Sequence, residues 1–296
     1  PRGSISLLMA WAWHDRAGRL KPFKLAIFAL LFVPLGFVAQ VGLTDPRWLN
    51  AMVHESGLWA IRLLFVSLAL TPLRSSLAWP ELALVRRMIG VAAACYAGLH
   101  LLGYVADMAF DLGKVLSEIW LRIYLTIGFV ALLFLLALAV TSTDAMVKRL
   151  GGRRWAALHR LVYPAAILAA IHFFLQSKLD IREPTIMAGL LLWLLGYRIV
   201  LWTAGTERAR SAWTLLALAL LIGPLTAGLE ALVVWWQNGI DPLRVLNANL
   251  KFTHGLRPAW WVLIAGLIVA ALSLPRVRSQ RRKRAKRVAS REPQCA

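Results

Sequence analysis

The chain has 296 residues, of which 59% are hydrophobic and only 16% charged, with 14 tryptophans. Soluble domains carry about a quarter charged residues, so this composition excludes an ordinary water-soluble domain and reads as a membrane protein. The net charge of +20 does not indicate nucleic acid, because the basic residues sit in short segments between apolar runs and no domain is left to present a basic surface.

In chain order, the first segment (1–22) is basic, with Arg16, Arg19 and Lys21, and reads as cytoplasmic. The apolar runs then predict eight spans of the ~20 residues needed to cross a bilayer as helix. The first covers about 23–40 and the second about 58–71, ending at Pro72 and Arg74. The third, about 88–106, is entered through Arg86 and Arg87. The loop 107–118 holds Asp107, Asp111 and Glu118 against one lysine and is predicted outside. The fourth span, about 119–140, returns to the basic inner loop TSTDAMVKRLGGRRW. The fifth covers about 155–176, and the sixth, about 184–203, returns to Arg208 and Arg210. A last hairpin, about 212–236 and 258–274, leads into the tail RVRSQRRKRAKR (276–287). Basic loops alternate consistently, with both termini inside, and the tail is expected against anionic lipid headgroups. The predicted fold is all-α: a polytopic transmembrane bundle with a six-helix core at 23–205, an added hairpin at 206–275 and a polybasic cytoplasmic tail at 276–296.

The chain opens on Pro1 rather than Met, so a truncated start is expected, and the apolar run 9–13 is too short for a cleavable signal peptide. Cys95 lies in an apolar run and Cys295 in the basic tail, a poor pair for a disulfide. No C-x-x-C-H, P-loop or G-x-G-x-x-G unit is present. Chemistry must therefore occur within the bilayer or be supplied by partners.

Ionisable residues inside a membrane are costly and are functional candidates by default. Of six histidines, His14, His54 and His254 fall in loops or at membrane edges, where an exposed imidazole is ordinary. His100, His159 and His172 fall in the third and fifth spans, which run parallel. At a rise of ~1.5 Å per residue, His100 lies about 20 Å beyond Arg87, His172 about 27 Å beyond Arg154, and His159 only about 8 Å. His100 and His172 can therefore face each other in the outer half of the membrane. Each stands above small residues on its own helix face, Ala97 and Ala93 for His100, Ala169 and Ala165 for His172. A flat apolar macrocycle needs such a slot, and two neutral imidazoles are a standard axial pair for b-type heme. Small residues also promote close helix packing in membranes. On spacing alone, a ligand pair and a hydrogen-bonded pair stand level.

His159 differs. Thirteen residues rotate a helix by a net ~220°, so His159 and His172 do not share a face unless the helix deforms, and Pro164 between them can kink it. A stacked second heme would also need an inner ligand on the third span, where Arg86 and Arg87 stand instead. Propionates need cations: Arg122, at the outer end of the fourth span, is the candidate, whereas Arg62 reads better as a snorkelling residue. Tyr96 and Tyr104 flank His100 at i±4 and could hydrogen-bond a cofactor edge or anchor the interface.

The segments TPLR (71–74), RRMIGVAAACYAGLHLLGY (86–104), YLTIG (124–128), TSTDAM (141–146) and LGGRRWAALHRLVYPAAILAAIHFFLQSK (150–178) together resemble the MsrQ family of the ferric-reductase-like transmembrane superfamily. The resemblance covers about residues 20–205, in order and at compatible spacing. It implies a multi-pass bacterial inner-membrane protein carrying heme b on His100 and His172, with His159 a further ligand candidate if a second heme is bound. It implies electrons arriving from a cytoplasmic flavin reductase or membrane quinol and leaving to a periplasmic molybdopterin-containing methionine sulfoxide reductase, which repairs oxidised proteins. FMN is implied by the family as well, and the basic loop 148–154 is the segment nominated for it. The hairpin 212–274 and the tail lie outside the resemblance. Two rival functions remain: a transmembrane ferric or cupric reductase of the same superfamily, and a transporter or assembly factor that uses intramembrane histidines.

Overall fold

The computed structural model describes residues 22–77, 79–177, 180–252 and 255–289. His14, His254 and Cys295 lie outside the described residues. The described chain is all-α. It runs α1 (Pro22–Leu30), α2 (Val33–Thr44), α3 (Trp48–Leu77), α4 (Leu82–Asp107), α5 (Leu112–Leu121), α6 (Ile123–Val140), α7 (Asp144–Leu150), α8 (Gly152–Leu158), a 3₁₀ turn (His159–Leu161), α9 (Val162–Gln176), α10 (Arg182–Ala209), α11 (Ala212–Asn238), α12 (Pro242–Asn249) and α13 (Pro258–Ala289). Among the described residues, seven helical segments are long and apolar enough to cross a membrane, and the stretch Pro258–Leu274 of α13 is a shorter apolar helix. The all-α polytopic bundle is what forms.

The element boundaries depart from the sequence reading in instructive places. Helix α3 starts at Trp48 rather than near 58 and passes through Pro72 to Leu77. A proline removes one ladder bond from a helix, a loss that spanning helices tolerate because neighbouring groups take up the freed carbonyl. The acidic loop 107–118 contains α5, and the fourth span begins at Ile123 rather than 119. Arg122 causes both differences: its extended backbone (φ −109°, ψ 105°) ends α5 and starts α6. Asp111 caps α5 by accepting from the Lys114 N–H at 3.0 Å, after two left-handed residues, Ala109 and Phe110. Leu112, Leu116 and Trp120 form an exposed stripe on α5 while Val115 is buried, the pattern of a helix lying along a membrane surface. The predicted fifth span is divided by the 3₁₀ turn, just before Pro164.

Contacts divide the chain into two units: one comprises the chain up to Leu70 with Pro80–Lys178, the other Thr71–Trp79 with Leu179 onward. In the first unit α6 packs along α9 and against α4. Ala93, Ala165 and Ala166 are fully buried there, the small side chains that let membrane helices approach. In the second unit α10, α11 and α13 pack together. A Cβ on Gly189 would stand 2.7 Å from Val262, and one on Gly266 would stand 2.7 Å from Ala219, so neither position admits a side chain as the helices lie. Glu230 on α11 is 2% exposed and pairs with Arg257 at 2.6 Å. Asn249 donates to the same carboxylate at 2.9 Å and accepts at its carbonyl from Trp260 Nε1 at 2.7 Å.

Candidate functional site

Within the first unit, α3, α4, α6 and α9 enclose a mainly apolar cavity of about 360 Å³, within the size range of small-molecule sites. Its walls include Ala97 and Ala169, one turn from His100 and His172, while Ala93 and Ala165 one turn further are fully buried. The two stripes of small residues therefore do both jobs the sequence left open. Near the histidines they make room, and below them they close the helices.

His100 from α4 and His172 from α9 both line the cavity, with ring centroids 6.2 Å apart and planes at 81°. Two imidazoles on opposite sides of one metal ion, each with a bond of about 2.0–2.1 Å, place their ring centres about 6 Å apart. The separation fits. The ring orientations fit as well. His100 Nδ1 donates to the Val53 carbonyl at 2.7 Å, and His172 Nδ1 donates to the Tyr124 carbonyl at 2.8 Å. A carbonyl only accepts, so each Nδ1 carries a proton, and in the neutral ring Nε2 then keeps its lone pair. Such a hydrogen bond on the far nitrogen is the usual companion of a metal-ligating histidine. The pair is thus not a hydrogen-bonded couple, since each imidazole spends its donor on a different helix.

The other residues named from sequence are placed as follows. Tyr104 lines the cavity. Tyr96 does not, and donates at 2.8 Å to the Leu31 carbonyl, in the break between α1 and α2. Arg122 lies outside the cavity lining; its guanidinium meets Glu118 and, at 3.2 Å, the Tyr124 hydroxyl. The hydroxyl first, then the carboxylate, hold Arg122 above its ordinary pKa, so it stays charged. Arg62 stands 5.0 Å over the Trp59 ring, itself bonded to Glu55. His159 sits in the 3₁₀ turn, stacked 3.9 Å from Trp155, with Nε2 3.3 Å from Thr141 Oγ1. The helix does deform between His159 and His172, yet the two are not brought into one cavity. Cys95 is exposed with a free thiol. In the basic loop, Lys148 and Arg149 close α7, and Asp144 at its start pairs with Arg87 at 2.7 Å.

Two residues escaped the sequence reading. Gly57 and Gly128 form the floor on which the two imidazoles lie. His54, expected in a loop or at a membrane edge, is exposed on α3 and also lines the cavity beside Asn50 and Asp107. Among the described residues, no Lys or Arg is in the lining.

Comparison with known proteins gives an independent line. The model of the ferric reductase like transmembrane component matches residues 56–170, which include His100 and fall two residues short of His172. The protein-methionine-sulfoxide reductase heme-binding subunit MsrQ of Rhodospirillum rubrum is 44% identical over 188 residues, covering 63% of this chain and 89% of the relative. The subunit of the same name from Azospira oryzae is 37% identical over 62% of this chain and 80% of the relative. That from Xanthomonas campestris is 46% identical over 49% and 67%. No solved structure matches the chain. The helical bundle, the family match and the 37–44% identity over 80–89% of two relatives' length lead to one conclusion: this chain belongs to the MsrQ family of ferric-reductase-like transmembrane proteins.

Proposed function

We propose that the chain is a heme-binding electron-transfer subunit that serves a protein-methionine-sulfoxide reductase. The observation that carries this reading is the opposed pair His100 and His172, 6.2 Å apart in an apolar cavity with both donors turned away from each other. The relatives' names supply the class of cofactor and partner.

The two Nε2 atoms would hold the iron of a b-type heme, and the alanine-lined slot would receive the porphyrin. When bound, the heme supplies a one-electron couple buried in a layer that blocks soluble carriers. This chain's residues hold both imidazoles neutral and fixed, so gain or loss of an electron needs little ligand movement. The apolar walls exclude water. Asn50, His54 and Tyr104 line the cavity beside Asp107 and would offer hydrogen bonds to the carboxylates, with Arg122, outside the lining, the nearby cation named from sequence. His159, against Trp155 and Thr141, serves the opposite end of the route or a second heme with a ligand of another kind. The segment 23–205 is the heme-binding domain and 206–275 an added hairpin. Both termini face the cytoplasm of a bacterial cell with the protein in the inner membrane. Electrons enter from a flavin reductase or quinol and leave to a periplasmic molybdopterin-containing reductase; FMN at loop 148–154 rests on the family resemblance alone.

The test is reduction of methionine sulfoxide in an oxidised protein by purified partner reductase, driven through this subunit in liposomes. His100→Ala and His172→Ala are each expected to lower the rate at least tenfold. A ferric chelate offered in place of the partner discriminates the rival reading: direct metal reduction at a comparable rate would favour a ferric reductase. Full rates in both variants would contradict the proposal.

A further inference from the structure

We propose that Gly57 on α3 and Gly128 on α6 are positioning residues that present a backbone carbonyl to each imidazole, the first to His100 and the second to His172. The inference rests on the reading of these histidines as heme ligands. In a helix each Cβ tilts toward the N-terminus and covers the turn before it. A residue without a Cβ therefore bares the carbonyl four positions back. Val53 lies four before Gly57, and Tyr124 four before Gly128. Those two carbonyls are the ones the imidazoles use, at 2.7 and 2.8 Å. An added Cβ on Gly57 would stand 2.7 Å from Nδ1 and 2.9 Å from Cε1 of His100. On Gly128 it would stand 2.7 Å from Nδ1 and 2.8 Å from Cε1 of His172. The same device thus occurs twice, on two helices, with nearly equal distances.

The consequences are geometric and electronic. The bare turn brings the ring against the helix and fixes its tautomer. The N–H···O bond makes Nε2 a stronger donor, which favours the oxidised metal. A methyl group at either glycine pushes the ring off its carbonyl, weakening retention and raising the reduction potential.

The experiment compares full-length wild type, G57A and G128A with G90A and G98A, whose added Cβ would meet nothing within 4 Å. Heme transfer to excess apomyoglobin, the ferric electron paramagnetic resonance spectrum and the midpoint potential are read, with circular dichroism for folding. Alanine is the better helix former, so simple propensity predicts no loss in any of the four. G57A and G128A are expected to release heme 10–100-fold faster, the usual cost of losing such an outer partner, with a potential shifted upward. G90A and G98A are expected to match wild type. Wild-type values in G57A and G128A, or equal losses in all four, overturn the glycine assignment. Where a glycine variant fails to fold, His100→Gly and His172→Gly are loaded with imidazole or 1-methylimidazole, which lacks the second N–H. Imidazole is expected to give the lower potential, and equal potentials overturn the assignment. A wild-type protein that takes up no heme instead overturns the reading of the cavity.

Discussion

His100 and His172 each place a basic nitrogen in the cavity because the opposite nitrogen is committed to a helix carbonyl. On the proposed reading, loss of either imidazole would remove one of the two residues that hold the heme and leave the other ring in place. His100→Ala and His172→Ala are thus expected to convert a six-coordinate low-spin spectrum to a five-coordinate or empty one, measured by absorption of purified protein. Tyr96 makes a contrast at the same scale. Its hydroxyl serves the Leu31 carbonyl, so Tyr96→Phe is expected to cost about 0.5–1.5 kcal/mol of stability with no change in the heme spectrum, checked by thermal melting beside an absorption scan. The histidines and their alanine stripes were legible in the sequence because an ionisable side chain in an apolar run and a spacing of three and seven are both local signals. Gly57 and Gly128 were not, since a glycine's meaning depends on which ring lies against it from another helix. The place of His54 on the cavity was hidden for a related reason: the second span begins earlier than its most apolar core, at Trp48, so this exposed residue is on a helix.

Helix boundaries carry the next level of the design. The segment after Asp107 turns through two left-handed residues, forms α5 and straightens at Arg122 before α6 descends. This places Ile119 and Tyr124 on the cavity, so the acidic stretch that reads as a loop in sequence is its cover at one end. The sequence hid α5 because its ten residues mix a capping aspartate with a short apolar stripe, too brief for helical periodicity to stand out. Asp111→Ala removes the cap and is expected to cost α5 about 1 kcal/mol, roughly a fivefold rise in amide exchange over 112–116. Exchange within α6 should not change. The division of the fifth span by a 3₁₀ turn was anticipated in kind from Pro164. The turn takes His159 away from the cavity and onto Trp155, a destination set by tertiary contacts no spacing rule could supply.

At the scale of the molecule, the chain divides into a unit that contains the cavity and a unit built on the helices that follow Lys178. The number and polarity of apolar runs made the all-α membrane bundle legible, whereas the boundary between units was not, because Thr71–Trp79 belongs with residues more than a hundred positions later through Tyr197 and Arg210 bonds to Ser75. The second unit holds its own ion pair. Arg257→Ala would leave the Glu230 carboxylate buried without its charged partner, with only the Asn249 bond left, a loss of roughly 3–5 kcal/mol. A lower melting temperature with an unchanged heme band is the expected result for that variant. Helix α13 has 32 residues, about 48 Å at the helical rise, so its basic end reaches past a hydrocarbon layer of about 30 Å.

The most direct measurement is heme stoichiometry and coordination in detergent-purified protein from heme-replete cells, by pyridine hemochrome and ferric electron paramagnetic resonance. The account predicts b-type heme with a low-spin signal from two imidazoles, lost when His100 or His172 is replaced by alanine. A colourless protein, or an unchanged low-spin signal after both replacements, would contradict it.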